Sequence, residues 1–250
     1  MPAATIDYRN TGIAVRDDIV ASQTRAWRSL AAPGTWWTGA ERVAIAREVR
    51  AARRCAGCAE RKAALSPTAV SGTHDAVTDL RTAIVDAVHR VVTDPGRLTR
   101  RWADEVMAAD VSDAHLVELV GVVCLVMLID GFARTIGAAL PSLPEPVAGD
   151  PSRARPTEAV DEGYFVPTIP YAVGQRPELG LYEPDAFVPN VGRGLSLVPD
   201  ALRTSKDLML AHYMQYSRVV TDYQPPDRPI TRSQMELVAS RTSARNDCFY

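Results

Sequence analysis

Residues 116–132 read LVELVGVVCLVMLIDGF, and this run constrains the fold more than any other stretch of the chain. It is apolar nearly all round, so a helix built from it must be packed on several sides. Glu118 and Asp130 bracket only 11 uncharged residues, too few to span a bilayer. The run is therefore read as the buried central helix of an all-α bundle, and no membrane association is expected.

Neighbouring segments supply helices to surround it. In DAVTDLRTAIVDAVHRVV, Val77, Leu80, Ile84, Val88 and Val91 recur at steps of three and four, which predicts one apolar helix face. Leu98, Trp102 and Val106 repeat the pattern in GRLTRRWADEVMAAD. No segment alternates strictly between apolar and polar residues, so β content is expected to be small. Residues 141–177 carry eight prolines, which remove backbone donors and disfavour helix at the preceding residue. This is a connector, expected to lie extended on the surface through Tyr164, Phe165, Ile169 and Tyr171. Helix resumes in PDALRTSKDLMLAHYMQYSRVV, where Leu202, Leu208, Met209, Tyr213, Tyr216 and Val220 share an apolar side.

The net charge is −2 and no basic stripe appears, so nucleic acid is not an expected partner. The N-terminal residues MPAATIDYRNTGIAV lack a cationic start followed by an apolar core, and a cytoplasmic location is expected. The four cysteines, Cys55, Cys58, Cys124 and Cys248, do not form the dense framework of a secreted scaffold, which favours a thiol site over structural disulfides.

An internal repeat brings three of these thiols into one argument. TGAERVAIAREVRAARRCAGC aligns without a gap with TRSQMELVASRTSARNDCFY, Thr38 on Thr231 and Cys55 on Cys248. Each threonine is followed three residues later by Glu41 or Gln234, the signature of a capping box. Ile230 and Met235 occupy the positions of a hydrophobic staple. Each copy predicts a capped helix of four to five turns with a cysteine near its far end. The first copy completes C-x-x-C with Cys58. The second reaches Cys248, Phe249 and Tyr250, and the sequence stops where its second cysteine would fall.

The second copy resembles the alkylhydroperoxidase D-like (carboxymuconolactone decarboxylase-type) peroxidases. Their motif is a glutamate, a cysteine twelve residues later, a second cysteine three further on, and a histidine four beyond that. Glu236 lies twelve residues before Cys248, and Asn246 and Tyr250 also fit. The resemblance covers about residues 190–250 and, more weakly, 15–145. It implies an alkylhydroperoxidase D-like helical bundle in two related modules: a degenerate first module over 1–140, the connector over 141–177, and an incomplete second module over 178–250. It also implies a peroxidase in which the second thiol attacks the peroxide and the first resolves the sulfenic acid, with Glu and His relaying protons. Carried over, Cys248 is a resolving cysteine and Glu236 a proton relay. The implied partners are a hydroperoxide, a dithiol reductant and further copies of the chain. No cofactor is implied, and selenocysteine encoded by UGA is the favoured occupant of the position after Tyr250.

In the first copy Cys55 and Cys58 match the cysteine pair, but Val43 and Lys62 stand where the glutamate and histidine belong. Three readings remain open for that pair: a structural remnant, a working dithiol activated by Arg53, Arg54 or Lys62, and a zinc half-site whose other two ligands are not evident from spacing. Glu48 stands at a different helical angle from the family glutamate. His74, at a loop-to-helix junction, caps a helix or assists the first site. His89 is read as packed or surface-facing, His115 and His212 as unremarkable, Cys124 as a small core residue, and Trp36 and Trp37 as packing anchors. Against the enzymatic reading stands a non-catalytic one: a helical oligomerisation or redox-sensing protein with Cys55–Cys58 as its switch. The apolar Leu237 and Val238 have little to pack on in either case, and the segment after about Gln224 is expected to be poorly protected.

Overall fold

A computed structural model describes residues 5–184, 186, 188–219, 221–246 and 248. Val220, Phe249 and Tyr250, each used in the reading above, lie outside the described residues. Ten α-helices occur among the described residues. They are α1 Asp17–Ala31, α2 Gly39–Ala52, α3 Ala56–Ala63, α4 Thr82–Thr93, α5 Arg100–Ala108, α6 Asp113–Thr135, α7 Tyr171–Gly174, α8 Pro199–His212, α9 Tyr216–Val219 and α10 Arg232–Arg245. The only β pairing among the described residues is a single bridge between Val160 and Thr168. The fold is all-α.

The apolar run forms most of α6. Ser112 caps it by accepting from the His115 N–H, and Gly137 follows its C-terminus in the left-handed region at φ +72°. By length and composition α6 could cross a membrane, but most of its apolar window is buried inside the bundle. Leu119, Val126, Ile129 and Ala133 are wholly buried there. Helices α1, α2, α4 and α8 pack around it. Its two buried carboxylates face arginines of α2: Asp130 receives Arg50 Nε at 2.9 Å and Nη2 at 2.7 Å, and Glu118 lies 3.6 Å from Arg42 Nε. A buried carboxylate needs such a partner to remain ionised.

Both capping boxes are formed. Thr38 N donates to Glu41 Oε2 at 2.9 Å, and Thr231 N donates to Gln234 Oε1 at 2.8 Å. Both capped helices run for 14 residues, and in each the cysteine follows three residues after the last helical one. The cysteine therefore lies just beyond the helix rather than inside its last turn, as the sequence suggested. At the first site this allows the chain to turn, and Cys55 becomes the N-cap residue of α3.

The connector lies along the bundle. Trp27 Nε1 donates to Ser142 O at 2.8 Å, Arg50 Nη2 to Pro141 O at 2.8 Å, and Val147 N to Ala31 O at 2.8 Å. Ile169 is fully buried, while Tyr164 and Phe165 are exposed beside Arg193 and Arg100. Helix α8 packs on α1 and α6, and its Leu208 belongs to the main core. By contrast α10 buries no residue, and Leu237 and Val238 are 65% and 64% exposed, as expected for apolar side chains with nothing to cover them. Two expectations fail. Val77 is exposed in the loop before α4 instead of lying on its apolar face. Cys124 is exposed in a cleft lined by Gly121, Leu128 and Leu208 rather than in the core.

Candidate active site

Three helices and one loop converge on the first cysteine pair. Cys55 stands at the N-cap position of α3, and Cys58 lies in its first turn. The loop over residues 64–81 returns across this end of α3, with Asp75 Oδ2 accepting from the Ala56 N–H at 2.8 Å. Gly57 permits that approach, because a Cβ there would stand 3.3 Å from Thr73 O. The loop thus delivers His74 to the thiols. Helix α4 delivers His89, and α2 delivers Glu48 from the opposite side.

Cys58 Sγ lies 3.3 Å from His74 Nδ1 and 3.4 Å from His89 Nδ1. Cys55 Sγ lies 3.8 Å from His74 Nδ1 and accepts from the Asp75 N–H at 3.4 Å. Each imidazole is held from behind by a carboxylate. His89 Nε2 is 3.0 Å from Glu48 Oε2, and His74 Nε2 is 2.9 Å from Asp86 Oδ1. A carboxylate only accepts, so Nε2 of each ring carries the proton and Nδ1 faces sulfur. Arg61 Nη1 approaches the same His74 nitrogen at 3.3 Å.

A further layer fixes the two carboxylates. Glu48 Oε1 accepts from Val77 N at 2.9 Å and from the Thr78 hydroxyl, which ties the loop to α2. Asp86 Oδ2 accepts from Trp102 Nε1 at 3.3 Å, which links the site to α5. Both sulfurs, both rings and Glu48 are shielded, with Cys55 and Cys58 each 3% exposed.

The electrostatics favour a thiolate–imidazolium pair. Burial pushes the Cys58 thiol up, but bonds from His74, His89, Cys55 and Thr93 outweigh it and bring the thiol down to about 6. Burial pushes both histidines down, and this too is outweighed. Asp86 and the sulfurs hold His74 above the usual imidazole range, and Cys58 and Glu48 do the same for His89. Burial would raise Asp86, yet His74, Trp102 and Arg90 keep it below the ordinary carboxylate range.

Of the residues singled out from sequence, Cys55 and Cys58 meet here. Glu236 instead accepts from the Tyr213 hydroxyl and, at 2.7 Å, from Arg232 Nε. Cys248 is exposed beyond α10. Arg53, Arg54 and Lys62, the activators considered from sequence, are exposed or half-buried, and two histidines rather than these side chains face the sulfurs. His74, for which capping and assisting the first site were both open, stands against both sulfurs. His89 is expected from sequence to be packed or surface-facing, Glu48 differs in helical angle from the family glutamate, and no sequence signal points to Asp86. The signal for His89 was present: Val85, His89 and Val92 fall at i, i+4 and i+7, so the histidine lies in the apolar stripe of α4, where a polar group needs a buried partner.

No family model, no curated protein and no solved structure matches this chain, so the functional reading rests on the geometry of the site.

Proposed function

We propose that the Cys55–Cys58 centre is a redox-active dithiol of thiol-dependent peroxidase type, in a chain built from two alkylhydroperoxidase D-like modules. The observation that carries this reading is the position of Cys58 Sγ between two imidazole Nδ1 atoms, each backed by a carboxylate. Such a sulfur is held for attack, and proton carriers stand at hydrogen-bond distance. The Cys58 thiolate attacks the peroxide O–O bond. One oxygen stays on sulfur as the sulfenic acid, and the other leaves as the alcohol after taking a proton from an imidazolium. The Cys55 thiol then displaces water from the sulfenic acid to give the disulfide. A dithiol reductant restores both thiols by exchange and leaves as its own disulfide. Glu48–His89 and His74–Asp86 are the proton relays. The Glu236–Cys248 copy is a second candidate site of the same kind. A cytoplasmic location and self-association of the chain belong to the same proposal.

The test is to treat reduced, chelator-washed protein with one equivalent of a hydroperoxide and to map its thiols. A Cys55–Cys58 disulfide is expected, together with a sulfenic acid trapped on Cys58 in Cys55→Ser and no reaction in Cys58→Ser. Oxidation at Cys124 or Cys248 ahead of this pair would overturn the assignment. The burial of both sulfurs favours a second reading, a dithiol switch that is oxidised without turnover. Repeated peroxide consumption with an added dithiol separates the two.

A further inference from the structure

The four side chains around the dithiol present one donor atom each to a common centre. Sγ of Cys55, Sγ of Cys58 and the ring nitrogens of His74 and His89 all lie within 4.8 Å of one another. In a tetrahedral zinc site, bonds of about 2.3 Å to sulfur and about 2.0 Å to nitrogen place neighbouring sulfur and nitrogen donors about 3.6 Å apart. Three of the four sulfur–nitrogen separations, 3.3, 3.4 and 3.8 Å, bracket that spacing, and the fourth is within 4.8 Å.

The surroundings have the form of a metal site as well. A ligating histidine commonly donates its other N–H to a carboxylate, which fixes the tautomer and makes the ligating nitrogen more basic. Glu48 does this for His89, and Asp86 does it for His74. The Asp75 N–H is directed at Cys55 Sγ at 3.4 Å and so orients that sulfur. Two sulfurs and two imidazoles in a tetrahedral arrangement match zinc rather than magnesium, calcium or manganese. Because the chain itself supplies all four donors, the site is a closed one.

We propose that the reduced protein binds one Zn2+ through Cys55 Sγ, Cys58 Sγ, His74 Nδ1 and His89 Nδ1. The ion pins the loop over residues 64–81 to α3 and α4. It also occupies the two sulfurs that the disulfide would join, so metal and disulfide exclude each other. In this regulatory respect the inference rests on the dithiol reading above. When a hydroperoxide oxidises the loaded centre, two thiolates give up two electrons and form the S–S bond. The peroxide takes those electrons and two protons to become alcohol and water, and Zn2+ is released.

The experiment uses the full chain, reduced and stripped by a chelator, titrated with Zn2+ under anaerobic conditions, with Co2+ as a spectroscopic probe. One equivalent of zinc is expected, with X-ray absorption showing two sulfurs and two nitrogens in the first shell. Cobalt should give the visible bands and the thiolate charge-transfer band of a tetrahedral site. Cys58→Ser should abolish binding. Asp86→Asn and Glu48→Gln, which leave all four ligands in place, should weaken it about 10- to 100-fold. A chain that takes up no zinc, or whose absorption spectrum shows only oxygen and nitrogen neighbours, overturns the proposal. This measurement is made on the wild type, so it stands even if a variant does not fold. Zinc binding without peroxide reaction in the stripped protein would sink the dithiol reading alone, and the reverse result would sink the zinc site alone.

Discussion

Glu48 and His89 face each other across the α2–α4 contact, Oε2 to Nε2 at 3.0 Å, with neither side chain exposed to solvent. The other oxygen of the same carboxylate serves Val77 N and the Thr78 hydroxyl. One buried side chain thus orients a site histidine and anchors the loop that carries the other. Glu48→Ala leaves three donors without an acceptor, each costing about 1–3 kcal/mol. A loss of at least about 3 kcal/mol in the urea unfolding free energy is expected, and Glu48→Gln, which keeps an acceptor oxygen, should lose less. An unchanged unfolding midpoint in Glu48→Ala would show that the carboxylate is not integral to the fold.

The acid–base state of the centre predicts a pH profile in chelator-treated protein. Cys58 is held down at about 6, so its alkylation by iodoacetamide should be half-maximal near that pH and level above it. Stability gained from a depressed thiol is present above the ordinary thiol value and lost as pH falls through about 6. The raised His74 works in the opposite sense. Its contribution is complete below the ordinary imidazole value and lost as pH rises through about 10. The pair is therefore intact between those limits. Replacing both histidines by alanine should move the alkylation midpoint toward about 8.5, and a midpoint that stays near 6 would assign the activation to something else.

The bundle and its centre were legible to different degrees, for physical reasons. Periodicity marked α5 and an unbroken apolar run marked α6, and both capping boxes could be read because the Thr-x-x-Glu and Thr-x-x-Gln signals are local. Long-range convergence was not legible. His74 and His89 lie 16 and 31 residues from Cys58, on a loop and a different helix, and no motif spacing connects them. Val77 and Leu80 extend the apolar period of α4 beyond the helix itself, which masks the stripe containing His89. Cys124 was misjudged because α6 has one side turned to a cleft, and composition does not reveal which side.

The ion pair between Arg50 and Asp130 joins α2 to the central helix. Asp130 is nearly inaccessible, whereas Arg50 is partly exposed, so the two single substitutions are not equivalent. Arg50→Ala leaves the buried carboxylate with only the long Arg134 contact at 3.9 Å and should cost about 3 kcal/mol. The double change Arg50→Met with Asp130→Leu removes both charges and should recover most of that loss. Chemical denaturation of the three variants provides the check. A double variant as unstable as the single one would mean that the pair contributes through its bonds to the connector, by way of Pro141 O, rather than by neutralising Asp130.

Leu208 and Leu237 come from the two ends of the region after the connector, and their surroundings predict opposite behaviour. Leu208 is buried in the main core beside α1 and α6, so Leu208→Ala should lose about 2–5 kcal/mol through transfer and cavity terms. Leu237 on α10 is 65% exposed, and Leu237→Ser should stay within about 0.5 kcal/mol. Hydrogen exchange should divide in the same way, with slow amides along the buried face of α8 and fast ones through residues 232–245. If α10 instead exchanges slowly, its exposed apolar side chains are covered by another copy of the chain, and dilution should then restore fast exchange. Slow exchange that persists on dilution would contradict the exposure of Leu237 and Val238.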